Sequence, residues 1–144
     1  MEQFLLPIHF FGLIIAFSGV VTADHYGFSW MRGKIPILDA AKLKKYHHIV
    51  LAGLALLIVS GGIMFWPARD FLIQDTLFIL KMTCVLALVI NGFVIGKFMD
   101  ITTMRTFASL TLKEKAPLFI SGAVSTSAWV GSVVFAVMLF GWPF

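Results

Sequence analysis

Three long stretches without a charged residue, and a fourth with a single lysine, dominate this chain. No Asp, Glu, Lys or Arg falls between Glu2 and Asp24, between Lys45 and Arg69, or after Lys115. Between Asp75 and Lys97 the only such residue is Lys81. An α-helix needs about 20 mainly apolar residues to cross the hydrocarbon core. The runs therefore predict four transmembrane helices, with spans at about 4–22, 47–66, 75–97 and 117–140. The fold class expected is an all-α integral membrane four-helix bundle forming a single domain over residues 1–144. Composition agrees: 60% of residues are apolar and 12% charged, about half the charged complement of a soluble domain. No β-alternation, repeat or low-complexity segment competes with this pattern.

Orientation follows from the loops. The first holds Arg32, Lys34, Lys42, Lys44 and Lys45, and the third holds Arg105, Lys113 and Lys115 with Lys97 at its edge. The second holds only Arg69. Lysine- and arginine-rich loops stay in the cytoplasm, so both termini are expected on the non-cytoplasmic side. The first span carries Glu2 rather than a positive leader segment and reads as a retained helix, not a cleaved signal peptide. Trp66 and Trp142 would close spans two and four at the outer interface, where amphipathic rings collect. Asp39 has the character of an N-cap for helix two, and Pro117 that of a first-turn residue for helix four. The net charge of +4 is distributed as topology signals, without a basic stripe, so no nucleic-acid partner is expected.

Helices in lipid associate through small residues that let backbones approach. His9, Gly12, Ala16, Gly19 and Ala23 form such a stripe on helix one, and Ser121, Ser125, Ala128, Ser132 and Ala136 one on helix four. Helix two offers Gly53, Ser60, Gly61 and Gly62, and helix three Cys84, Ala87 and Asn91. Cys84, the single cysteine, reads as a packing residue.

Titratable groups within spans point to function by default. His9 lies on the small-residue stripe about two turns from the outer end of helix one. It can be a neutral histidine bonded to a neighbouring helix, a proton-handling group or an axial heme ligand. Lys81 lies at a similar depth, either snorkelling to the headgroups or facing the bundle to pair with a porphyrin carboxylate. Asp24, His25, His47 and His48 gather toward the inner face. Asp24 and His25 are expected to end helix one, and His25 with His47 or His48 could form a bis-histidine heme site. Adjacent histidines on a helix diverge by about 100°, so only one of His47 and His48 can face helix one. His9 and His25 are about 24 Å apart along a helix, which excludes one heme held by both. Two stacked hemes would need four inward ligands at two depths, and with one histidine at the outer depth the residues permit a single site. Met64 is the second ligand nearest in depth to His9. Nucleophile–base pairs, phosphate loops, metal-spaced Cys/His sets and paired carboxylates are absent from the sequence.

The histidine near the start of helix one, the glycine-bearing second span and the third-span run FILKMTCVLALVING resemble a group of small bacterial membrane proteins. This group comprises the membrane protoporphyrinogen oxidase family and related copper-resistance-D-like modules. The resemblance covers helices one to three, about two thirds of the chain. It implies a bacterial inner-membrane location and binding of heme b or a porphyrin, with His9 matching the helix-one histidine and Lys81 the helix-three lysine. Asp24 and His25 stand where that group carries an arginine-containing segment, a departure that bears on oxidase activity more than on fold. Three functions follow as expectations. The first is a heme- or porphyrin-binding redox module. The second is a non-catalytic subunit, homo-oligomeric or packed in a larger membrane complex. The third is a proton or ion pathway through His9, Lys81, Asn91 and Asp24, against which the nearly continuous apolar character between those groups counts.

Overall fold

The structure, a computed structural model, describes residues 2–141. It consists of four long helices: α1 (Glu2–Met31), α2 (Ala40–Leu72), α3 (Thr76–Met104) and α4 (Leu112–Phe140). A single 3-10 turn, Phe107–Ser109, stands between α3 and α4. All four helices are long and apolar enough to cross a membrane, and no strand occurs among the described residues. The chain is a multi-pass membrane protein with an all-α four-helix fold.

The helices form two antiparallel hairpins. α1 packs closely along α2 and α3 along α4, whereas the hairpins meet mainly through side chains. The reason for the first close contact is local. Ala16 on α1 is fully buried (0% exposed), and a Cβ placed on Gly53 of α2 would sit 2.5 Å from the Ala16 backbone nitrogen. Only hydrogen fits there. Further along, Gly19 lies against Ile49 and Val50, and Gly12 against the Gly53 carbonyl and Leu56. The helix-one stripe expected from sequence is thus the α1–α2 seam. In the second hairpin, Gly131 lies against the Cys84 sulfur, and Ser121, Ala128 and Ser132 are buried on α4. Gly62, grouped with the packing glycines of helix two, instead faces open space.

The helices outrun the spans at the lysine-rich end. Helix one does not stop at Asp24 and His25 but continues to Met31. Thirty residues make about 45 Å of helix, against a hydrocarbon core of about 30 Å. A charge ends the part of a helix that lipid tolerates, not the helix itself. The extra turns are held by a small second core of Trp30 (3% exposed), Leu38 and Leu110, flanked by Tyr26, Phe107 and Leu118. The Trp30 indole donates to the Arg105 carbonyl at 3.0 Å, and the Leu38 N–H donates to the Thr102 carbonyl at 3.0 Å. The Asp39 N–H donates to the Tyr26 hydroxyl at 2.9 Å. The first two bonds tie the end of α1 and the first loop to the second hairpin, and the third holds the loop against α1.

The caps follow side-chain chemistry. Asp39 accepts from the Lys42 N–H at 3.0 Å, and Asp75 accepts from the N–H groups of Leu77 and Phe78 at 2.8 and 3.1 Å. Helix four begins at Leu112 rather than Pro117. The Glu114 carboxylate accepts from the Thr111 N–H and hydroxyl and pairs with Arg105, which nucleates the helix one turn before the proline. Trp66 is 68% exposed, with the Arg69 guanidinium 4.8 Å from its ring; α2 runs beyond it to Leu72. Trp142 lies outside the described residues.

Gly53→Val should lower stability by about 1–3 kcal/mol through overpacking, read as a fall in thermal midpoint of the purified protein in detergent. Gly62→Ala should leave the midpoint unchanged. Equal midpoints for wild type and Gly53→Val would contradict the seam.

Candidate functional site

The five residues singled out from sequence divide between two depths. At the end remote from the lysine-rich loops, α1 brings His9 against α2. The His9 Nδ1 lies 2.9 Å from the Ser60 hydroxyl oxygen. That hydroxyl spends its own proton on the Leu56 carbonyl, 2.6 Å away one turn back. Ser60 therefore accepts from His9, and Nδ1 must carry the imidazole proton. A neutral ring with its proton on Nδ1 carries its lone pair on Nε2, the arrangement that a second-shell hydrogen bond imposes on metal-binding histidines. The ring edge also rests on Gly61, where a Cβ would sit 3.3 Å from Cε1. Two adjacent residues of α2 thus hold the ring in place, one by a hydrogen bond and one by leaving room.

Lys81, on α3, is half-buried, and its ammonium is near enough for its charge to act on the His9 ring. Three helices therefore converge at this level. α1 supplies a tethered imidazole, α2 its anchor and α3 a cation. Such a set can hold an anionic, aromatic or metal-bearing ligand that offers one coordination position and one carboxylate.

The inner histidines are arranged differently. His25 and His48 are exposed, and only His47 turns inward, its Nε2 reaching toward Gly96 on α3. The ring centroids of His47 and His48 are 6.3 Å apart. His47 lines a cavity of about 80 Å³ between the hairpins, together with Asp24, Asn91, Ser125 and Trp129. The structure brings Asp24, rather than His25, to the same cavity as His47. Among the described residues, no three His, Cys, Asp or Glu side chains gather as a metal-binding group.

Asn91, in the wall of this cavity, belongs to a reciprocal pair. The Asn91 amide donates to the Ser121 carbonyl at 3.0 Å, and the Ser121 hydroxyl donates to the Asn91 oxygen at 2.8 Å. Both residues are buried, so the pair joins α3 to α4 with every strong polar atom satisfied. Asn91 and Ser121 lie on the packing faces expected from sequence, which does not itself encode their pairing. Ser60, expected as a packing residue, anchors His9, and a further buried residue without a sequence expectation is Trp129, only 5% exposed. A tryptophan near the middle of a span, away from the interfacial belts, was the available signal for the last.

The chain matches no protein-family model, and comparisons with curated proteins and with solved structures found no match.

Histidine-selective 15N NMR of the detergent-solubilised protein at neutral pH should show His9 protonated at Nδ1 and bare at Nε2. Ser60→Ala should mix the two tautomers. A wild-type ring protonated at Nε2 alone would reverse the assignment.

Proposed function

We propose that the protein binds a heme b or a porphyrin at the outer site formed by His9 and Lys81. What carries the proposal is the tether between His9 Nδ1 and Ser60, which leaves one imidazole nitrogen available and fixes its direction. The donor set fits the group: a neutral imidazole is the commonest protein ligand to heme iron, and a lysine in electrostatic reach of it matches a porphyrin carboxylate. A bound heme would supply one-electron transfer. The chain's own part is to fix the tautomer through Ser60, seat the ring against Gly61, orient the carboxylate edge through Lys81 and exclude water with the apolar faces of α1 and α3.

Size counts against the inner site. Pockets that take cofactor-sized ligands run to about 300–1,000 Å³, and the cavity beside His47 has about 80 Å³. The exposure of His25 and His48 also argues against a bis-histidine site there. The resemblance of helices one to three to the membrane protoporphyrinogen oxidase and copper-resistance-D-like group points to the same two residues. It further supports assignment to a bacterial inner membrane with the lysine-rich loops in the cytoplasm.

The protein, expressed with ample heme supply and purified in mild detergent, should show a Soret band that shifts on reduction. His9→Ala should remove most of the band and Lys81→Met should weaken retention several-fold, while His25→Ala and His48→Ala leave it intact. Absence of the band from the wild type, or its full survival in His9→Ala, would overturn the proposal in favour of a non-catalytic subunit of a larger membrane complex.

A further inference from the structure

α3 and α4 leave a groove between them on the side away from the first hairpin's seam. It is an open depression of about 710 Å³ lined almost wholly by apolar side chains, with Ile90, Phe98 and Ile120 among its walls. Small residues, Ala87 and Ala116, keep it open, and the satisfied Asn91–Ser121 pair lies at its base. A single charged residue, Lys113, is part of the lining. It stands in the first turn of α4 at the lysine-rich end.

Two observations specify what this groove accepts. The first is length. From Lys113 to Val124 on α4, and from Phe98 to Ala87 on α3, the lined segments each extend about 16 Å at 1.5 Å per residue. One leaflet of the hydrocarbon core is about 15 Å deep. The groove therefore begins at headgroup level and ends near the bilayer midplane, the reach of one acyl chain. The second is charge. The acid beside Lys113 in sequence, Glu114, is occupied by Arg105 and Thr111, and the ammonium of Lys115 lies over the Phe107 ring at 4.7 Å. Lys113 itself enters no ion pair among the described residues. A cation at the mouth of an apolar channel one leaflet deep complements a phosphate joined to a hydrocarbon chain.

We propose that this groove is a binding site for an anionic phospholipid of the leaflet at the lysine-rich face, its phosphate at Lys113 and one acyl chain laid between α3 and α4. The site is independent of His9 and Lys81 and stands or falls apart from porphyrin binding. Non-specific attraction of a polybasic face to anionic lipid works through all its lysines alike. A seated lipid works through one lysine and a shaped channel.

Delipidated protein in mild detergent, titrated with phosphatidylglycerol or phosphatidylcholine and read by native mass spectrometry, distinguishes the two. The wild type should retain one phosphatidylglycerol under activation that strips phosphatidylcholine. Lys113→Gln should reduce phosphatidylglycerol occupancy several-fold, toward the phosphatidylcholine level. Ala116→Phe, which fills the groove without changing charge, should do the same, and Lys44→Gln, on another helix, should have no effect. Equal retention of the two lipids by the wild type would overturn the site, and this comparison needs no variant to fold. A loss in Lys44→Gln as large as that in Lys113→Gln would assign the effect to diffuse charge and overturn it equally.

Discussion

The contact between Ala16 and Gly53 sets the register of the first hairpin and, through it, the candidate site. Backbones this close tolerate no side chain at position 53, so α1 and α2 cannot slide past each other without opening the seam. In an antiparallel pair, equal steps in opposite sequence directions stay level. His9 lies seven residues before Ala16 and Ser60 seven residues after Gly53, two turns of helix in each case. The close contact therefore delivers the imidazole to the hydroxyl. Membrane helices gain little from apolar attraction between them; the fit of small residues supplies the alignment, and the hydrogen bond uses it.

The second hairpin solves the same problem with polar chemistry. Asn91 and Ser121 exchange two hydrogen bonds across α3 and α4, and both would carry a penalty in lipid if left unpaired. Between the hairpins, packing relies on larger side chains, with Leu54, Leu88, Ala128 and Trp129 joining Ala16 in the central cluster. Looser packing here leaves the small, mostly apolar cavity beside His47 and Asp24. At the lysine-rich end the hairpins are joined again, by the Trp30–Arg105 and Leu38–Thr102 hydrogen bonds and the apolar cluster around them. The molecule is thus two stiff pairs clamped at one end, with the His9 level toward the other.

Much of this architecture was legible from residue order because the bilayer imposes simple rules. Runs nearly free of charge marked the four helices, glycine and alanine spacing marked the α1 seam, and Asp39 lay where a side-chain oxygen could cap the helix that follows. The helix ends were less legible. Charge reports where a span leaves lipid, and nothing in a charged residue stops a helix, so α1 continued to Met31 under the influence of Trp30. Pro117 looked like a beginning, but the Thr111–Glu114 cap lay further upstream. Of the site, His9 was visible as a polar group on a packing face. Its anchor was not, since the pairing of His9 with Ser60 depends on inter-helix register, which periodicity within one helix does not encode. The same holds for Asn91 with Ser121. His47 could be separated from His48 only by knowing which way α2 is turned.

The α1–α2 register is the claim on which the site depends, and disulfide trapping tests it directly. A Cβ at position 12 would lie 3.3 Å from the Leu56 Cβ, close to the usual Cβ separation of about 3.5–4.5 Å in a disulfide. In a Cys84→Ser background, Gly12→Cys combined with Leu56→Cys should form an intrachain disulfide under mild oxidation in the membrane. Gly12→Cys combined with Gly62→Cys should not. Failure of the first pair to close, or equal closure of both, would contradict the register and the placement of His9 against Ser60.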